Sequence, residues 1–192
     1  MRQPTDFPQA DQIEQELKRE RYKHRYNRTL RSTVYALITV AAVAVLVATL
    51  WMPVLQIYGS SMDPTLREGD IVISIKSSEF EQGDIVAFYY GNKLLVKRYI
   101  AGSGEWVDIH EDGTIWVDGE QLVEPYVVEH SLGSADINLP YQVPDEKYFL
   151  VGDHRSTSVD SRHSVVGCIA EEYIVGKIVF RVWPLSRFGP VE

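Results

Sequence analysis

The chain has 192 residues, with 19 Lys and Arg against 27 Asp and Glu, one Cys and 45 % hydrophobic residues. That length allows one ordinary domain plus a modest appendage, and the single thiol, Cys168, permits neither an internal disulfide nor a Cys-based metal cage. A net charge of −8 argues against nucleic-acid binding, which needs a surplus of Lys and Arg on a broad surface.

The charge is unevenly divided. Residues 1–31 carry eight basic and five acidic side chains, a net of +3; residues 56–192 carry eleven and twenty-two, a net of −11; nothing between is charged. Asp11 to Arg31 reads as a charged helix running into the next segment. Val34 to Leu55 then offers 22 residues with no Asp, Glu, Lys, Arg, His, Asn or Gln. As a helix rising about 1.5 Å per residue it covers about 33 Å, enough to cross a bilayer core. A buried core helix of this kind needs partners all round, and no other long helical segment follows. A cleaved secretory signal has a shorter apolar core and a small-x-small cleavage site, whereas this run ends in Trp51, Met52 and Pro53. The sequence thus predicts a basic N-terminal segment, 1–31, a retained anchor, 32–55, and a domain, 56–192.

Flanking charge orients the anchor. Lys18, Arg19, Arg21, Lys23, Arg25, Arg28 and Arg31 precede it, and the first basic residue after it is Arg67. By the positive-inside rule the N-terminus stays in the cytoplasm and everything after about residue 56 lies outside, with Trp51 and Tyr58 at the outer interface. The bilayer is therefore an expected partner.

The external portion is rich in Val, Ile, Tyr and Phe, broken by Gly-Asp, Asp-Gly and Gly-Asn pairs, the composition of short strands joined by tight turns. Predicted strands are Asp70 to Ile75, Asp84 to Tyr90, Leu94 to Ala101, Trp106 to His110, Thr114 to Val117, Tyr148 to Val151 and Gly176 to Trp183. Asp112-Gly113 and Asp118-Gly119 are hairpin signals. The only helical period of any length falls around Val166 to Tyr173, and Val128 to Pro144 reads as a long surface excursion. The fold class is mainly β behind one N-terminal transmembrane helix.

Three segments carry chemistry. Gly59 to Leu66 is a turn-forming run just outside the anchor and includes Ser60 and Ser61. Lys97 follows Ser61 by 36 residues in an apolar strand, where alternation sets it with Leu95 and Tyr99 on one face. Burial disfavours an ammonium and lowers its pKa, so a lysine placed this way can serve as the neutral general base that a serine nucleophile needs. Gly152 to Arg162 is dense in acids and arginines: Asp153 with Arg155, or Asp160 with Arg162, would make ion pairs that fix the loop, or the segment forms an active-site wall. A Ser-His-Asp triad of Ser61, His154 and Asp160 is the competing arrangement. There is no Walker pattern, no dinucleotide Gly-rich fingerprint and no zinc spacing, so no cofactor and no metal is expected.

Together these segments resemble the bacterial type I signal peptidases, membrane-anchored Ser-Lys endopeptidases that remove signal peptides from exported proteins. Ser61-Met62-Asp63-Pro64-Thr65 is similar to their nucleophile motif, Gly83-Asp84-Ile85-Val86 to the following strand motif, and Lys97-Arg98 to the general-base motif. Gly152-Asp153-His154-Arg155, Ser158 and Asp160-Ser161-Arg162 are similar to the last motif. Asp118-Gly119, Glu124-Pro125-Tyr126, Gly176-Lys177, Trp183-Pro184 and Phe188-Gly189 also look like the family. The resemblance implies an extracytoplasmic antiparallel β catalytic domain of the signal-peptidase type. It implies Ser61 as nucleophile with its backbone N–H as oxyanion donor, Lys97 as general base, and Ser158 as the lysine's orienting partner. It further implies Asp160 and Arg162 as a supporting ion pair, with Asp153 in the same loop and Met62 shaping the site. Signal peptides with small-x-small cleavage sites are the implied substrates, and the strands near Ile57 to Ser60 and Asp84 to Tyr90 are where an extended substrate would add. Two positions depart from the pattern: Gly59 stands where some members carry a Ser that completes the oxyanion hole, and His154 stands where Asn is commoner. A Ser-Lys maturation peptidase with one client and a non-catalytic membrane-tethered β module are the alternative readings.

Overall fold

The structure, a computed structural model, describes residues 10–76 and 79–191. It divides into two compact units at Ala48 and Thr49. The first is helical: α1 runs without a break over Ala10–Trp51. The expected charged helix and the expected anchor are one continuous element, because nothing from Asp11 to Met52 is a Gly or a Pro. Its charged half is laced by the short-range pairs Glu14–Lys18, Glu16–Arg19 and Glu20–Lys23. Its apolar half presents Leu, Ile and Val on every face and buries none of them. This helix is long and apolar enough to cross a membrane.

The anchor was expected to reach Leu55, but the helix stops at Trp51. Pro53 cannot continue it, lacking an N–H and crowding the preceding turn. Val54–Gln56 instead form a strand, β1.

The second unit is antiparallel β throughout. In chain order it contains β1, β2 (Ile71–Ile75), β3 (Ile85–Tyr90), β4 (Lys93–Ala101), β5 (Trp106–Ile109), β6 (Ile115–Val117) and β7 (Glu120–Gln121). Then follow β8 (Tyr141–Gln142), β9 (Lys147–Val151), β10 (Ile169–Ala170), β11 (Ile174–Trp183) and β12 (Gly189–Pro190). The larger sheet has the order β1-β2-β11-β3-β4-β9-β10 with β12 on β11; the smaller has the order β7-β6-β5-β8. The smaller sheet and its loops are inserted between β4 and β9, which are neighbours in the larger one.

All seven expected strands form, each within two residues of its expected ends. The expected helical stretch near Val166 to Tyr173 is instead the two-residue strand β10 followed by one 3₁₀ turn, Glu171–Tyr173. Pairing of Ile169 with Tyr148 overrides the weak helical period. The excursion from Val128 to Pro144 is less superficial than expected, since Leu132, Ile137 and Leu139 pack against the core between the two sheets. That core holds Ile100, Val107, Ile109, Ile115, Val117 and Phe149; a second cluster, with Ile57, Met62, Leu66, Val72, Ile85 and Ile178, lies under the turn that carries Ser61.

Candidate active site

Ser61 follows β1 in a turn closed by two backbone bonds, Asp63 N–H to the Ser60 carbonyl (3.0 Å) and Leu66 N–H to the Met62 carbonyl (2.8 Å). Met62 and Leu66 are buried in the second cluster and pin the turn from below. Gly59 enters it at φ +80°, a left-handed conformation that strains any other residue. The backbone therefore explains why a glycine stands there and no hydroxyl is offered.

Lys97 lies within β4, between β3 and β9, opposite Val86. It is 4 % exposed, and its Nζ donates to Ser158 Oγ at 3.0 Å. Burial pulls its pKa from 10.5 down to about 8; the Asp160 carboxylate works against that fall, the Arg162 guanidinium with it and the Asp153 carboxylate against it. The Ser158 hydroxyl in turn bonds the Asp160 carboxylate. A hydroxyl has one proton to give, so Ser158 donates to Asp160 and accepts from Lys97. Burial alone would push the Asp160 carboxyl up, but Arg162, the Gly152 N–H and Ser158 hold it below the usual carboxylate range.

Gly152 brings the two halves together. The point a Cβ on Gly152 would occupy is 2.2 Å from Ser158 Oγ and 2.5 Å from the Ser61 carbonyl oxygen. The Ser61 carbonyl also accepts the His154 N–H at 3.1 Å. Hence the Ser61 turn is fastened to the same loop that supplies the partner of Lys97.

Three buried ion pairs hold that loop. Arg162 grips Asp160 through Nε (2.8 Å) and Nη2 (2.9 Å) and spends Nη1 on the carbonyls of Ser131 and Leu132. The other expected pair does not form: Asp153 turns to Arg98, which holds it through Nε (2.8 Å) and Nη2 (2.7 Å), and Arg155 turns to Glu124. Asp153 and Arg155 have the same two-residue spacing as Asp160 and Arg162, but Arg98 of β4 and Glu124 approach from other segments and engage each of them instead. Arg98 also donates to the Gly83 carbonyl and lies 3.6 Å from the centroid of the Tyr126 ring. Each arginine is 1 % exposed, so losing one partner would strand a buried charge.

Thr65 links this frame to the Ser61 turn. Its hydroxyl donates to Asp153 at 2.5 Å and its carbonyl accepts from Arg181 Nη1 at 2.8 Å. Arg181 and Arg187 both reach the buried Asp70. Thr65→Val keeps the shape and removes one donor from a buried carboxylate, so we expect a loss of about 1–3 kcal/mol in urea unfolding. The roles of Thr65, Asp70, Glu124, Arg181 and Arg187 were not legible in sequence, because each partner is distant along the chain.

The competing histidine arrangement does not assemble. His154 Nδ1 faces Thr157 Oγ1 at 2.9 Å, while the Asp160 carboxylate is engaged by Arg162 and the Gly152 N–H. A groove of about 700 Å³ runs past Ser61, with residues 54–59 and 61–62 on one side and residues 93–96 on the other. Of the two segments expected to meet an extended substrate, β3 lies inside the sheet between β11 and β4, so its edges are already paired. The strand β1, leading to Ile57, is a sheet edge. Phe88 is core, whereas Tyr89 and Tyr90 are exposed.

A serine turn beside an extended groove, tied to a loop that meets a buried lysine, fits the serine endopeptidases, and comparison with known proteins agrees. The model of the signal peptidase family, peptidase S26, matches residues 30–183, and the chain belongs to that family. It is 38 % identical over 153 residues to signal peptidase IB of Staphylococcus aureus, covering 69 % of this chain and 78 % of that protein. It is 35 % identical over 162 residues to signal peptidase I of Bacillus amyloliquefaciens, covering 78 % and 83 %. A crystal structure of a signal peptidase I from Enterococcus faecalis matches with 27 % identity and a TM-score of 0.42, over 52 % of this chain and 96 % of that one.

Proposed function

We propose that this protein removes signal peptides from exported preproteins, with Ser61 as nucleophile and Lys97 as general base. The observation that carries the reading is the buried Lys97 ammonium, bonded to Ser158 and drawn down to about 8. In the neutral amine, one N–H donates to Ser158 and the lone pair is left for Ser61. Lys97 Nζ takes the Ser61 Oγ proton as Oγ adds to the scissile carbonyl carbon. The tetrahedral oxyanion is met by the Ser61 backbone N–H. The C–N bond then breaks, and Lys97 returns the proton to the leaving amine. Water attacks the acyl-enzyme by the same route, with Lys97 again as base. Asp160 and Arg162 fix Ser158, Asp153 fixes the loop through Arg98, and Met62 supports the turn. The anchor holds residues 1–31 in the cytoplasm and the β unit outside, where the exported chain emerges.

Purified protein in liposomes is expected to cleave several unrelated preproteins, and Ser61→Ala to cleave none. Full activity of Ser61→Ala overturns the proposal, and cleavage of a single client would mark a dedicated maturation peptidase. Because only the neutral amine serves as base, kcat/KM is expected to rise about tenfold per pH unit below about 8 and to level off above it. A profile flat from pH 6 to 9 would contradict Lys97 as base.

A further inference from the structure

The smaller sheet turns one face to the core and the other to solvent. Val107 and Ile109 of β5 and Ile115 and Val117 of β6 are buried. The residues alternating with them stand together on the outer face: Trp106 and Asp108 on β5, His110 just past its end, and Trp116 on β6. The register sets Trp116 opposite Asp108, and the His110 ring stacks on Trp116 with centroids 5.2 Å apart. With Pro140 at the rim, these side chains line a cleft of about 230 Å³ that shares no residue with the groove at Ser61.

Two features bear on what the cleft would hold. Trp106 is 47 % exposed, on a face where it does no core packing; exposed aromatics of this size are characteristic of interface anchors. The Asp108 carboxylate meets the Ile109 N–H at 2.9 Å and His110 Nε2 at 3.8 Å, with no Lys or Arg paired to it among the described residues. No such residue stands nearby in sequence either: between Arg98 and Lys147 the chain has eleven Asp and Glu and no Lys or Arg. The acidity of the external domain is thus gathered on the inserted sheet and its loops.

We propose that this cleft binds a lysine or arginine side chain presented by a basic segment of a partner polypeptide. The indole faces attract a cation, Asp108 gives it a charge-assisted hydrogen bond, and the acidic surround steers it in. The volume suits one long side chain. A neutral sugar would gain from the indoles but nothing from the charge, and a metal ion would gain from the carboxylates but nothing from the indoles. The proposal is independent of the role assigned to Ser61.

The test is titration of the full chain in detergent micelles with hexalysine, hexaglutamate and a neutral hexasaccharide, followed by calorimetry and tryptophan fluorescence. Hexalysine is expected to bind and to weaken as salt rises. Trp106→Ala and Asp108→Asn are each expected to weaken it by about tenfold or more, while Trp106→Phe restores part of the loss. Unchanged affinity in Trp106→Ala and Asp108→Asn would assign binding to diffuse charge elsewhere and overturn the site, as would binding of the hexasaccharide alone or no binding at all. Both side chains are at the surface, and Asp108→Asn with Trp106→Phe decides the matter if Trp106→Ala fails to fold.

Discussion

Lys97→Ala is expected to lower kcat/KM for preprotein cleavage by about 10²–10⁴-fold at pH 8, the range of a positioned general base. At pH 7 an ordinary lysine is neutral in only about three molecules in ten thousand, whereas a group at about 8 is neutral in roughly one in ten. Removing Nζ forfeits that poised base, and His154, the base of the competing arrangement, is turned to Thr157. Lys97→Arg would not rescue, because a guanidinium does not deprotonate near neutral pH. Wild-type activity in Lys97→Ala would remove Lys97 from the mechanism.

The same burial has a cost in stability whose sign can be checked. The folded pKa lies below that of the unfolded chain, so between about 8 and 10.5 the unfolded state binds more protons and stability rises with pH. Below about 8 the full penalty applies, on the order of 3 kcal/mol. Lys97→Met is therefore expected to be more stable than wild type at pH 7, by up to that amount less the lost bond to Ser158. Urea unfolding at pH 7 and pH 10 measures it, and the advantage should shrink at the higher pH. An inactive but stabilised variant separates a catalytic loss from an unfolding one.

The elements that sequence pattern rendered well are those whose signal is local. A run of 22 uncharged apolar residues, alternating Val and Ile, and Asp-Gly pairs report helix, strand and turn within a few residues of themselves. The end of α1 was misjudged because hydropathy continues through Val54 and Leu55, while Pro53 has already set the backbone on another course. Among the candidate site residues, Ser61 and Lys97 stand out in the sequence as a serine turn soon after a long apolar run and a lysine in an apolar strand. Asp160 and Arg162 were paired rightly because they are two residues apart and geometry favoured the nearest fork. Asp153 and Arg155 have the same spacing, yet each found a partner from another segment. What decided between the two outcomes is the approach of β4 and of residue 124, which only the folded chain supplies.

Gly152→Ala is the change with the largest expected effect for the fewest atoms. Gly152 does not lie in the left-handed region, so backbone strain plays no part. Its added methyl would stand 2.2 Å from Ser158 Oγ, 2.6 Å from Ser158 Cβ and 2.5 Å from the Ser61 carbonyl, all too close for any carbon. Overpacking of this kind typically costs about 1–3 kcal/mol in stability. The cost in kcat should be much larger, about a hundredfold or more, because a displacement near 1 Å at the reacting groups is enough to spoil catalysis. If the clash acted through Ser158 Oγ alone, Gly152→Ala combined with Ser158→Ala would be no worse than Ser158→Ala. The contacts with Ser158 Cβ and with the Ser61 backbone survive that second change, so the double variant is expected to remain well below Ser158→Ala in kcat. Equal rates in the two would show that the Ser61 turn yields freely, and that Gly152 serves only to make room for the serine that Lys97 leans on.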